Sequence, residues 1–303
     1  MATVFYDQAA VRIITPVGVE ETLLATDCSV NFSASQTPLY SIGKKGSLGQ
    51  FPSAARAGDV SFNFLTTITG DADNGNSTVG GVSKAGNIIN YMASGIKNST
   101  NSLASGCIIQ VAGLSGTGFL NSYSFNIGSN TISSSSASFT LFGSGSTETP
   151  VIGRLSGSLY SPDGNTGLLA TGVAHGRYTT LGAPFQTSLG SYPLAGPENG
   201  TVFGADYSIS FNHNPVYKIG QEFPTTTFYT TAAESVNVTE DIFNSGLAFD
   251  ESPTDATMVI KSLNNSTHGS MHVGLKGLKQ QSTSMSAGLD DIVRSQKTLT
   301  TTY

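Results

Sequence analysis

Apolar and polar residues alternate with a period of two along most of this chain, which predicts half-buried β-strands. Cys28, Val30 and Phe32 share one face of a short segment, with Ser29 and Asn31 on the other. The same alternation places Val60, Phe62 and Phe64 together, then Cys107, Ile109 and Val111, then Tyr123, Phe125 and Ile127, then Ala137, Phe139 and Leu141, and later Tyr207, Ile209 and Phe211. Gly128-Ser129-Asn130 between two of these runs reads as a hairpin turn. Strands of this length with one apolar face suggest antiparallel pairing over a core. One stretch follows a different period. From Ser83 to Ile96, the residues Ile88, Ile89, Met92, Ala93 and Ile96 fall on one helical face, and Gly95 lies near the helix end.

The pattern also repeats. Asp27-Cys28-Ser29-Val30-Asn31-Phe32 is followed by Pro38-Leu39-Tyr40-Ser41-Ile42-Gly43. Asp206-Tyr207-Ser208-Ile209-Ser210-Phe211 is followed by Pro215-Val216-Tyr217-Lys218-Ile219-Gly220. The gap between blocks differs by two residues, and Val60-x-Phe62 up to Gly70 matches Val236-x-Val238 up to Gly246. Internal repeats govern the reading of a fold, so the chain is expected to carry one β domain twice. The expected copies are residues 1–150 and residues 151–303, the second with an insertion over about 151–200. Only the first copy shows a clear helix. This alignment puts Cys28 in the place of Tyr207 and predicts a core role for it. Pro38 and Pro215 are expected at a strand edge or turn, because proline lacks a ladder donor. Residues 44–58 read as an exposed loop or hairpin arm, and Leu289 to Val293 as a short helical turn.

Composition changes the picture in one respect. Charged residues are only 11% of the 303, with 38% hydrophobic and a net charge of -6. Soluble domains usually carry about 25% charge. A hydroxyl-rich, weakly charged surface suits a protein that packs against copies of itself, and it also suits secreted β proteins. No Lys or Arg run forms a basic stripe, which argues against groove-reading nucleic-acid binding. The first residues lack a secretory pattern and no stretch is apolar enough to span a bilayer. Cys28 and Cys107 are expected as buried free thiols acting as small hydrophobes, although two cysteines can in principle form one bridge.

Candidate chemistry is weak. Gly113-x-x-Gly116-x-Gly118 lacks the Lys-Ser/Thr of a phosphate loop and reads as a β-turn. Asp71-Ala72-Asp73-Asn74-Gly75 lacks the oxygen donors of a calcium loop at its fifth and twelfth positions. His268 and His272 are four apart without a helix to converge them. Ser41-x-x-Lys44 has no partner motif. Glu240-Asp241 and Asp290-Asp291 are neighbours, which point to opposite faces of a strand. The chain is therefore expected to be no enzyme, with no cofactor and no metal.

The repeated Pro-x-Tyr-x-Ile-Gly after a short alternating strand, at residues 27–70 and 206–246, resembles the tail-tube proteins of long-tailed bacteriophages. The helix near 83–97 and the strands over 107–142 support the resemblance. It implies two tandem β-sandwich or barrel domains and a virion structural role. Three subunits would form a pseudo-hexameric ring, and rings would stack into a DNA-conducting tube. It further implies contacts with tape-measure, baseplate or sheath proteins, passage of DNA without sequence reading, no membrane, assembly in the host cytoplasm and residence in the virion tail. Pro38, Tyr40, Ile42 and Gly43, with Pro215, Tyr217, Ile219 and Gly220, would carry assembly, or else only stabilise their own hairpins. A baseplate hub or tail-terminal ring of the same fold is the nearest alternative. A carbohydrate-binding β module is another, and the absence of Trp speaks against it.

Overall fold

The computed structural model of the chain describes residues 11–23, 25–33, 36–52, 57–68, 78–79, 82–83, 87–98, 106–111, 114–129, 131–141, 153–154, 173–176, 180–181, 202–220, 224–241, 252–261, 270–288 and 293–303. The strands of the first part are β1 (Val11–Ile14), β2 (Glu20–Leu23), β3 (Ala25–Ser33), β4 (Gln36–Tyr40), β5 (Ser47–Pro52), β6 (Ala57–Leu65), β7 (Thr78–Val79) and β8 (Val82–Ser83). Helix α1 (Ile88–Lys97) follows, then β9 (Cys107–Val111), β10 (Leu114–Gly128), β11 (Ser134–Leu141), β12 (Gly153–Arg154) and β13 (Thr180–Leu181). The last strands are β14 (Val202–Val216), β15 (Thr226–Asp241), β16 (Thr254–Lys261), β17 (Ser270–Ser286) and β18 (Arg294–Thr302). The protein is mainly β with one helix among the described residues, and its core is one large antiparallel sheet.

The order of strands occurs twice. In the first half β3 pairs β6, β6 pairs β11, β11 pairs β10, and β10 pairs β9. In the second half β14 pairs β15, β15 pairs β18, β18 pairs β17, and β17 pairs β16. The registers also agree. Val30, Val60, Phe139 and Leu120 lie in one row of the first half. Tyr207, Val236, Leu299 and Gln280 lie in the matching row of the second. A bulge follows in each, between Leu120 and Ser122 and between Gln280 and Ser282. By this register Val30 holds the place of Tyr207, two residues from the alignment of the Asp-x-Ser blocks. Side chains alternate with period two, so the slip leaves the same residues on the same face.

Both halves belong to one sheet because β10 serves both. Its N-terminal part, Leu114 to Gly118, pairs with β9, and its C-terminal part, Ser122 to Gly128, pairs with β14. Gly118 lies under Ile109, whose Cδ1 would stand 2.6 Å from an added Cβ. The expected turn at Gly113 to Gly118 is therefore shifted. Gly116 and Gly118 both belong to β10, and at Gly118 the close approach of Ile109 needs a small residue.

One apolar face of this sheet is buried with α1. Asn87 caps the helix, its Oδ1 accepting from the Asn90 N–H at 2.9 Å. Glu21 of β2 accepts from the Ile88 N–H at 2.8 Å, placing a carboxylate at the positive helix end. The helix begins five residues later than its apolar spacing predicts and ends at Lys97, beside Gly95. Its side chains reach both halves. Asn87 Nδ2 donates to Tyr123 Oη at 3.4 Å, and Asn90 Nδ2 donates to the His272 carbonyl at 3.4 Å. Residues 242–251, between β15 and β16, lie outside those described. Also outside them are Gly70 to Gly75, His268, the span of Leu289 to Asp291, and most of residues 142–201. Of that last span, Thr180 and Leu181 pair with β16, as expected for part of an insertion.

Candidate assembly surfaces

The face opposite the core is covered by short polar side chains. Ser29, Ser61, Ser138, Ser122 and Ser210 form one row across five strands. The next row runs Asp27, Asn63, Ser136, Ser124, Ser208, Ser235 and Thr300. Neighbours in these rows bond to each other. Ser29 and Ser61 hydroxyls lie 2.7 Å apart, Ser122 and Ser138 2.6 Å, and Ser124 and Ser136 2.7 Å. Asn63 Nδ2 donates to both Asp27 oxygens at 3.0 and 2.8 Å, and Thr140 donates to Asp59 at 3.1 Å. Partial burial raises the pKa of Asp206 beside these rows. Such a face offers hydroxyls already paired laterally, with carboxylates among them.

Two arms project from the sheet. The first is the β4–β5 hairpin, which pairs only with itself, so Pro38 sits on a two-stranded ribbon as expected. Its tip holds Tyr40, 72% exposed, and Ile42, fully exposed, before Gly43 at φ +89°. The second arm is the far end of β14 and β15, where Pro215 faces Thr227. Its tip holds Tyr217, Ile219, also fully exposed, and Gly220 at φ +86°. A positive φ favours glycine at both tips. The eight residues expected to carry assembly thus fall into two equivalent groups, one on each arm. Ser41 and Lys44 belong to the first tip, where the Lys44 N–H closes a turn on the Ser41 carbonyl at 3.2 Å.

The two cysteines differ. Cys107 is fully buried, its thiol near the Gly118 carbonyl at 3.3 Å and its pKa pushed up to about 12 by burial. Cys28 is exposed, correcting the expectation of a buried core thiol. Val30 on the same face packs against the core, but β3 ends the strand order of the sheet among the described residues, and Cys28 lies at that edge. Partial burial, with the Asp27 carboxylate beside it, still raises the Cys28 thiol to about 11. Both are free, as expected.

Sequence reasoning missed a buried charge cluster. Glu234 sits on the core face of β15, opposite Ile209. It accepts from Tyr207 Oη at 2.7 Å and from Lys97 Nζ at 2.9 and 3.2 Å. Lys97 lies 4.9 Å from the Tyr303 ring centroid and also donates to the Gly274 carbonyl. Burial and the Glu234 charge hold the Tyr207 phenol far above its usual range. The cluster pins the last turn of α1 to the second half. A glutamate at an apolar position between Ala232 and Val236 was the available signal. Glu240 likewise turns inward to Lys297 at 3.1 Å.

His213 packs against Phe119 and Tyr229, and burial lowers its pKa. Among the described residues no three metal-ligating side chains converge. No protein-family model matches the sequence, and no curated protein is significantly similar to it.

Proposed function

We propose that this chain is a ring-forming structural protein, a subunit of a phage tail tube, built from two tandem copies of one β unit. One observation carries the reading. The two five-strand units have the same order and register, and they join edge to edge through β10 and β14. The join is heterologous, with one edge of the first unit meeting a different edge of the second. Repetition of such a contact gives a closed ring if the rotation closes, and a filament if it does not. The corresponding edges at the two ends of the chain, β17 and β3, have no such partner among the described residues. Three chains would supply six units, and ring closure would remove every open edge.

The polar rows suit the channel wall. Lys and Arg contacts to phosphate make nucleic acid stick. Serines paired with one another, with Asp27, Asp59 and Asp206 among them, leave few strong donors for phosphate apart from Lys279, which faces Thr300 at the β17 end of the second row. The exposed arm tips would meet the next ring or other tail proteins. A baseplate hub or tail-terminal ring would use the same ring without repeated stacking.

Electron microscopy of the purified protein at high concentration tests the reading. Tubes or stacked three-fold rings with an open lumen are expected. Isolated rings would favour the hub or terminal ring. Monomers at every concentration, with glycan binding, would replace it with the carbohydrate-binding alternative.

A further inference from the structure

We propose that β17 of one copy takes β3 of the next as an antiparallel neighbour, in the register that sets Met285 opposite Val30 and Ala287 opposite Cys28. This rests on the ring reading and adds to it the contact strands and their alignment. The internal joint supplies the template. There Tyr123 lies opposite Ile209, Phe125 opposite Tyr207, and Ile127 opposite Ala205. Met285 follows the bulge residue Gln280 as Phe125 follows Leu120. Val30 holds the place of Tyr207, because it faces Val60 as Tyr207 faces Val236. Transferring the joint to the chain ends gives the stated pairs.

The exposed side chains agree with this alignment. Among the described residues, the β16 pairing on β17 ends at Leu278, no strand lies beside the β17 edge over Ser282 to Ser286, and β3 pairs only with β6. Met285 is 56% exposed, and Cys28 is exposed on the apolar side of β3. In the internal joint the matching Phe125 and Tyr207 are buried, with rings stacked 4.8 Å apart. A second copy is thus the occupant that completes an apolar layer left open at both ends. The alternative alignment of the Asp-x-Ser blocks would shift β3 by two residues and set Met285 opposite Cys28.

The two registers separate by oxidative cross-linking of the full-length protein at concentrations that give rings. Opposed Cβ atoms in an antiparallel pair lie about 4.5–5.5 Å apart, close to disulfide reach. The variant A287C, with native Cys28, is expected to give covalent dimers and trimers on a non-reducing gel. M285C is expected to give at least several-fold less, and A287C combined with C28S none. Hydrogen exchange on the unmodified protein is expected to slow in residues 27–33 and 282–288 on assembly. Cross-linking by M285C in place of A287C would overturn the register. Rings without cross-links and without slowed exchange would overturn the edge pairing while leaving the ring reading intact. Failure to form any ring would remove both.

Discussion

On the proposed duplication, the joint inside the chain and the edges of β3 and β17 are equivalent places in two copies of one unit, yet their side chains differ. At β10–β14 the contact holds Tyr123, Phe125, Tyr207 and Ile209, all buried, and Tyr207 is bonded to a buried glutamate. At β3 and β17 the corresponding positions hold Val30, Phe32, Thr283 and Met285. The joint sets three aromatic rings where the ends have one, and aromatic rings bury more area than Val, Thr or Met and add stacking energy. A contact formed once, within one chain, can be permanent. One formed between chains during assembly has to remain correctable until the ring closes. Under the proposed ring, the comparison teaches that duplication would let one interface be strengthened while its twin stays weak.

The largest effect is expected from breaking the closed joint. Glu234→Ala leaves Lys97 and Tyr207 without their buried partner and is expected to cost about 3–5 kcal/mol in urea unfolding. An unchanged midpoint would show that the cluster is not what holds α1 to the second half. Phe125→Ala follows, at roughly 3 kcal/mol from lost burial and stacking. Its twin, Met285→Ala, is expected to leave chain stability within about 0.5 kcal/mol, as exposed substitutions do. It should nonetheless shift ring formation to higher concentration by light scattering. Equal stability losses for both variants would erase the distinction between joint and edge.

High pH sharpens the contrast between the two thiols. Cys107 sits at about 12 in the fold against an ordinary 9.0, so the unfolded chain gives up its proton first. Its contribution to stability is intact below about pH 9 and falls by about 1.4 kcal/mol per pH unit as pH rises toward 12. Cys107→Val is expected to flatten that decline in thermal melts, while Cys28→Ser changes it less. The smallest effect on the single chain belongs to the arms. Ile42→Ser with Ile219→Ser is expected to alter melting by less than about 0.5 kcal/mol, because both side chains are fully exposed. Electron microscopy is expected to find single rings in place of the stacks proposed for the unmodified protein.

Much of the fold was legible because period-two alternation reports which face of a strand is apolar. Tyr123, Phe125, Phe139, Tyr207 and Ile209 all went to the core as their spacing predicts. What alternation cannot report is whether another element covers that face. Cys28 and Tyr207 look alike in sequence, but only Tyr207 has β10 beside it. The register of β3 was also out of reach, because pairing across strands is set by long-range contacts and a slip of two preserves the pattern. The arms were legible from proline and glycine, which mark edges and turns by backbone chemistry alone. The polar rows were not, since five serines on five strands become neighbours only when the sheet forms.

The shared strand β10 has a consequence for the order of events during synthesis. Residues 114–128 are made before β14, and the C-terminal edge of β10 waits while residues 129–201 are added. Under the proposed edge pairing, a nascent first half would present in that interval the kind of edge found at β17, and β3 of another molecule would be a rival for it. The tether resolves the competition in favour of β14. A covalent tether makes the β10–β14 contact intramolecular, which favours it over contacts with dilute free molecules. Expressing the two halves as separate polypeptides removes the tether and hands the choice of neighbour to bulk concentration.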